Sequence, residues 1–372
     1  MLCSSTHGLL GGVSRQTSVT VDAIDDLLGP ARDRFFGSGY RRVDHRLRDV
    51  EIETAGDSSA RVSASATVGY PGDWARKDAT AVHAPHVSSV DTLVLGVSLC
   101  EAYLAHRYGL DDAQRARMWL RRVDIRAGSR PQENLAGFTV NARLKATGPV
   151  EGGRHRIRIS VFECVIGTMK LRCAVMHEVT DRSPADASYR DVDDLLGPAD
   201  DRYFGSGYRN NQYDVRDVGL DTANTYAEAA VRSAPEAGRE PVGGLEGAYQ
   251  PAVSMIDSIV LTAQLAEVIL YRTDGLQRGQ TDTMWLRSIS MESPDPYRPA
   301  PGQFSGALAV TKNRTVELDG ARWRILDTVA FCHGIEQTGS VAHRLPDWVS
   351  DRAEAERSAN PHRAVTLIGN SR

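Results

Sequence analysis

The chain has 372 residues, 41% hydrophobic and 25% charged, with a formal net charge of −4. That balance fits ordinary globular domains and allows two cores, while the charge and the lack of a basic block speak against a nucleic-acid binder. No apolar run reaches the roughly 20 residues of a membrane span, no basic-then-apolar leader opens the chain, and five cysteines with no CxxC pair argue against a disulfide framework, so a cytoplasmic protein with reduced thiols is expected.

Taken in chain order, the predicted elements come twice. Residues 25–41 read DDLLGPARDRFFGSGYR and residues 193–209 read DDLLGPADDRYFGSGYR, identical at 15 of 17 positions. The period is too long for a solenoid and suits two compact domains. The chain therefore divides into an N-terminal extension over 1–19, a first repeat over 20–182, a second over 188–346 and a polar tail over 347–372. Each repeat opens with a predicted short helix. Val21, Ile24, Leu27 and Leu28, then Tyr189, Val192, Leu195 and Leu196, recur at helical spacing, with Thr20 and Ser188 as candidate caps and Gly-Pro as the stop. FGSGYR predicts a glycine turn feeding a strand. A long helix follows, VSSVDTLVLGVSLCEAYL (87–104) matching VSMIDSIVLTAQLAEVIL (253–270), apolar on so many sides that it must be buried. Four strands close each repeat: 119–127, 137–146, 155–167 and 168–179, then 285–293, 306–313, 322–334 and 338–345. This order predicts an α+β fold whose antiparallel sheet wraps a long buried helix in each half.

The order is similar to a hotdog domain, and two such units resemble the tandem, double-hotdog arrangement of acyl-thioester dehydratases and related acyltransferases. DDLLGP with RYFGSGYR, the helix segment VDTLVL with CEAYL, and the repeated MWLR (118–121, 284–287) together resemble the avirulence D (AvrD) family of syringolide-synthesis proteins, over about residues 20–346. Butyrolactone-synthesis proteins of the A-factor type are similar in layout. The resemblance implies an acyltransferase or condensing enzyme. It would join a 3-oxoacyl group, carried as a carrier-protein or coenzyme A thioester, to a small sugar or polyol, giving a syringolide- or butyrolactone-like signal metabolite. A homodimer is compatible with it. The alternatives are a non-catalytic acyl-binding module and a hotdog dehydratase or thioesterase.

Candidate residues follow from the two copies. Glu101 lies eleven residues after Val90 and returns to within about 20° of its direction, and Glu267 stands in the same relation to Ile256. A carboxylate in a core-facing stripe needs a partner, a proton or a function. The resemblance to hotdog enzymes, which carry the catalytic acid on this helix, makes Glu101 and Glu267 acid/base candidates. Asp91 and Asp257 start the same helices and suit capping with Ser88 and Ser254. By analogy with double-hotdog dehydratases, Asp257 would face a histidine of the first half. The halves differ just there: VHAPHVSSVD carries His83 and His86, whereas AYQPAVSMID has Ala252 in place of His86. A duplicated fold with one active site should differ where the chemistry happens, so His86 with Asp257 or Glu267 is a candidate acid/base pair. Arg121 and Arg287 either grip a phosphate or pair with Glu101 and Glu267. Tyr40 and Tyr208 either bond neighbouring backbone or line a substrate mouth. Cys164 and Cys332 read as matching strand positions, and His333, on the opposite face from Cys332, is no direct base for it. Without a glycine-rich nucleotide loop, GxSxG elbow or HExxH motif, neither a nucleotide cofactor nor zinc is implied.

Overall fold

Alternation of apolar and polar residues sets the strands: along RVSASATVG every second side chain from Val62 to Val68 is buried. The computed structural model describes residues 19–54, 60–74, 84–150, 156–182, 184–235, 242–280, 283–300 and 302–349. Among these residues fourteen strands arise, beginning with β1 (Val19–Ala23), β2 (Asp44–Glu53), β3 (Arg61–Gly69), β4 (Trp119–Arg126), β5 (Ala136–Pro149), β6 (Ile157–Ile166) and β7 (Met169–Glu178). They continue with β8 (Ala187–Asp191), β9 (Asn211–Leu220), β10 (Tyr226–Pro235), β11 (Trp285–Glu292), β12 (Gln303–Leu318), β13 (Ala321–Cys332) and β14 (Ile335–Arg344). They form one sheet, in spatial order β1-β9-β10-β12-β13-β14-β11-β4-β7-β6-β5-β3-β2-β8. Its centre is the antiparallel pair β4–β11, which runs from Arg126 opposite Ser288 to Arg122 opposite Glu292.

Helices α1 (Asp25–Leu28) and α4 (Asp193–Leu196) are single turns, α3 (Asp112–Ala116) is short, and α2 (Ser89–Tyr108) and α5 (Met255–Asp274) are the two long helices. Both long helices begin with a capping box, Ser88 with Asp91 and Ser254 with Asp257, and both end on a left-handed glycine, Gly109 and Gly275. Ser89 through Ala105 is buried without interruption. Helix α2 packs on β2 to β7, and α5 packs on β10, β12, β13 and β14.

The opening of each repeat departs from the sequence expectation. Residues 19–23 and 187–191 are strands, not the first turn of a helix, and neither single-turn helix has a side-chain cap. An adjacent strand edge satisfies every second backbone group there, which an isolated helical turn cannot do. That edge belongs to the opposite half: β1 pairs with β9, and β8 pairs with β2. Likewise α1 touches α5 and α4 touches α2. The two opening segments are exchanged. At their meeting point Tyr40 and Tyr208 stack with ring centroids 6.5 Å apart. No helix among the described residues is long and apolar enough to cross a membrane.

Candidate functional site

The register of the closing hairpins aligns the halves. Ile166 pairs with Met169 and Cys332 pairs with Ile335, so Cys332 corresponds to Ile166, and Cys164 corresponds to Ala330 rather than to Cys332. Four replacements then distinguish the cores. Where the first half has Cys100, Cys164, Leu171 and Cys173, the second has Ala266, Ala330, Gln337 and Gly339. In the first half the thiols of Cys100 and Cys164 meet at 3.8 Å, with Cys173 beside them, and Leu171 fills the space over Gly96. Smaller residues in the second half leave a cavity of about 1080 Å³, walled by Ile259, Ala263, Ala266, Ile289, Leu308 and Val341. The exchanged segment of the first repeat contributes Phe35 and Phe36 to its lining. A Cβ on Gly96 would lie 2.1 Å from Cδ2 of Leu171. Gly96→Ala is therefore expected to destabilise the chain by about 1–3 kcal/mol in urea unfolding, and the double variant with Leu171→Ala to lose less than the sum of the two single losses.

Two lining residues, Gln337 and Thr262, form a hydrogen-bonded trio with the buried Ser258, and its counterpart in the first half is Thr92, Gly96 and Leu171. The hydroxyl of Ser258 donates to Oε1 of Gln337 at 3.1 Å, Nε2 of Gln337 donates to Oγ1 of Thr262 at 2.8 Å, and Thr262 donates to the Ser258 carbonyl at 2.7 Å. Gln337 is 4% exposed. Its amide carries two N–H groups, one of them committed to Thr262, so the other is available to an acceptor in the cavity.

Of the residues expected from sequence, His86, Glu267 and Arg287 line this cavity. His86 arrives from the loop before α2 and stacks on Trp285 of β11 at 5.0 Å, with Trp74 edge-on at 6.1 Å. Glu267 lies in the field of Arg34, whose guanidinium is held by Asp25 and Gln264. Arg287 reaches Ser340 at 3.5 Å and makes no ion pair with Glu267.

The other expected residues lie elsewhere. Glu101 is fully buried and bound to Arg115 at 3.1 Å, with Arg202 adding its charge. Burial raises its pKa against those two cations. The expected partner Arg121 instead pairs with Glu292 at 3.0 Å and donates to the Ser293 carbonyl, because its strand aims it at β11. Tyr40 and Tyr208 are 2% and 0% exposed, stacked on one another and absent from the cavity lining, which corrects their reading as substrate-mouth residues. Asp91 caps α2 and receives His45 Nε2 at 2.8 Å together with the Tyr70 hydroxyl. Burial acts to raise its pKa, but His45 and Tyr70 hold it below the usual value. Neither Asp91 nor Asp257 lines the cavity, since each is turned onto its own helix N-terminus. His83 lies outside the described residues.

Asp257 has Tyr213 where Asp91 has His45, and without a cation burial pushes its pKa up to about 6, against the bonds from Ser254. The fold then favours the protonated acid. Its contribution is fully present below the ordinary pKa of 3.8 and is lost as pH rises through about 6. Relative to Asp257→Asn, the unaltered chain is expected to lose roughly 2–3 kcal/mol of unfolding free energy between pH 4 and pH 7. Parallel urea titrations at the two pH values check this.

Sequence reasoning passed over Gln337, Thr262, Ser258 and Arg34. The signal was present, since a glutamine at an inward strand position opposite Leu171 is a polar residue in a core row. Among the described residues no group of three or more His, Cys, Asp or Glu side chains could hold a metal ion.

An antiparallel sheet packed on two buried helices, with a cavity lined by the buried Gln337 and Thr262, defines an α+β protein with an internal space of the size small-molecule sites have. The chain belongs to the family described as Pseudomonas avirulence D protein (AvrD), whose model matches residues 19–346. No curated protein matches its sequence. Among solved structures it is similar to a putative thioesterase from Novosphingobium aromaticivorans, at 10% identity over 80% of this chain and 98% of that one, TM-score 0.35. It is also similar to a protein with a hot dog fold from Alicyclobacillus acidocaldarius (10% identity, 78% and 97% covered, TM-score 0.35) and to a dehydratase domain of the curacin polyketide synthase (10%, 82% and 98%, TM-score 0.33).

Proposed function

We propose that the chain is a tandem hotdog enzyme that transfers a 3-oxoacyl group from a carrier-protein or coenzyme A thioester to a hydroxyl of a small sugar or polyol. The observation that carries this reading is the asymmetry of the cores: one half is filled by thiols and a leucine, and the other is hollow and ends in Gln337. The acyl chain occupies the apolar walls, and the spare N–H of Gln337 donates to the thioester oxygen as negative charge develops on it. The acceptor hydroxyl gives its proton to the imidazole of His86 as its oxygen bonds to the acyl carbon; the carbon–sulfur bond then breaks, and the imidazolium returns the proton to the departing thiolate. Glu267, beside Arg34, holds the acceptor through a second hydroxyl.

Thioester hydrolysis is the second reading, favoured by the Ser258–Gln337–Thr262 trio, which suits a water as well as an acceptor hydroxyl. The purified chain given a 3-oxoacyl thioester with and without glycerol or a pentose decides between them. Acceptor-dependent thiol release with an ester seen by mass spectrometry supports transfer, release with free acid alone supports hydrolysis, and no release with any acceptor sinks both.

A further inference from the structure

The second half is hollow for a reason that goes beyond the missing thiols. With the closing hairpins aligned, Phe162 corresponds to Thr328 and Met176 to Ala342. On the long helices Val97 corresponds to Ala263, and Tyr103 to Ile269. In the first half Phe162 is fully buried and meets the Tyr103 ring edge-on at 5.5 Å, filling the space between α2 and the sheet. In the second half Thr328, Ala263 and Ala342 all line the large cavity. Each exchange removes side-chain volume and none introduces a charge, so together they enlarge the cavity without adding an ionisable group to it. The Thr328 hydroxyl is taken up by the Gly339 carbonyl at 3.4 Å.

We propose that Thr328 and Ala263 set the length of acyl chain that the cavity accepts, a specificity role that rests on reading the cavity as an acyl-thioester site. The two residues come from opposite walls, Ala263 from α5 and Thr328 from β13, against which α5 packs. A larger side chain on either wall therefore narrows the space between them. The exchange of phenylalanine for threonine is the largest of the set and that of valine for alanine is smaller, so the two positions give a graded series. Phe162 and Val97 are both 0% exposed, which shows that this fold accommodates the larger residue at each place. Ile269 is smaller than Tyr103 and leaves Thr328→Phe the room that Phe162 has. Discrimination in an apolar pocket works through such volumes, at about 10–200-fold for one methylene.

Turnover of coenzyme A thioesters from 3-oxobutanoyl to 3-oxotetradecanoyl by the full chain, by Thr328→Phe and by Ala263→Val tests the proposal. Thr328→Phe is expected to lower the ratio of long-chain to short-chain kcat/KM by about 10-fold or more, and Ala263→Val to lower it less. Titration calorimetry with S-alkyl coenzyme A thioethers of the same lengths, which cannot be cleaved, reads the same ratio in affinity without any turnover. Thermal unfolding of each variant identifies a folded sample, and Ala263→Val carries the test alone if Thr328→Phe unfolds. A length-dependent affinity that shifts in the variants while no thioester is turned over would sink the enzyme reading and keep the gauge. Turnover whose length profile is the same in all three chains, equal losses at every length, or thioether affinities that do not depend on length would each overturn the gauge.

Discussion

Replacing Gln337 by methionine is expected to reduce thioester turnover about 100-fold or more while the chain stays folded. Methionine keeps the length of the side chain without the branch that, in the first half, needs Gly96 where the second half has Thr262, and it removes the donor assigned to the thioester oxygen. Loss of one such donor from a water-excluded site costs about 10²–10³ in rate. The structural penalty is smaller, because Thr262 keeps its bond to the Ser258 carbonyl at 2.7 Å, while the Ser258 hydroxyl loses its acceptor and Thr262 Oγ1 its donor. Rates with a 3-oxoacyl thioester, beside thermal unfolding of the same samples, separate the two effects. Turnover within a few-fold of the parent would remove Gln337 from the chemistry.

The largest loss of stability is expected at Arg115. Its side chain is 8% exposed and bridges Glu101, which is fully buried, to Asp112. Substituting methionine keeps the length and removes the charge, so Glu101 must either stay ionised in the core or take up a proton. Breaking a buried pair from one side costs about 3–5 kcal/mol, whereas removing both charges together is often nearly neutral. Arg115→Met should therefore lower the unfolding free energy by that order, and Arg115→Met combined with Glu101→Gln should recover much of it. Equal losses in the single and double variants would show that Arg202 alone carries the carboxylate.

Much of the architecture was legible in the sequence because it depends on periodicity. The buried helices, their caps at Ser88–Asp91 and Ser254–Asp257, and the strands that close each repeat follow from patterns of 3.6 and 2 residues. The opening segments were misread because Val21, Ile24 and Leu28 fit helical spacing, while the partner that makes residues 19–23 a strand lies almost two hundred residues away on β9. The candidate site was half legible. His86 and Glu267, which line the cavity, stand out in the sequence as a difference between the halves and as a carboxylate in an apolar stripe. Gln337 is harder to read, because a neutral amide in a strand announces itself only when its inward neighbours are known. The partners of Glu101 and Arg121 were unreadable for a related reason: a long side chain chooses among several counter-charges according to backbone direction, which spacing alone does not specify.

The exchange of opening segments bears on how the chain can be divided. The stretch around residues 182–188 separates two similar sequences, yet a fragment ending there would leave β2 without β8 along its outer edge and α2 without α4. The other fragment would lack the segment carrying Arg34, Phe35 and Phe36, and with it part of the cavity lining. Each piece alone presents a bare strand edge ready to pair with another chain. Made together, the two pieces present complementary edges, so this chain suits split-protein complementation and resists dissection into two independent modules.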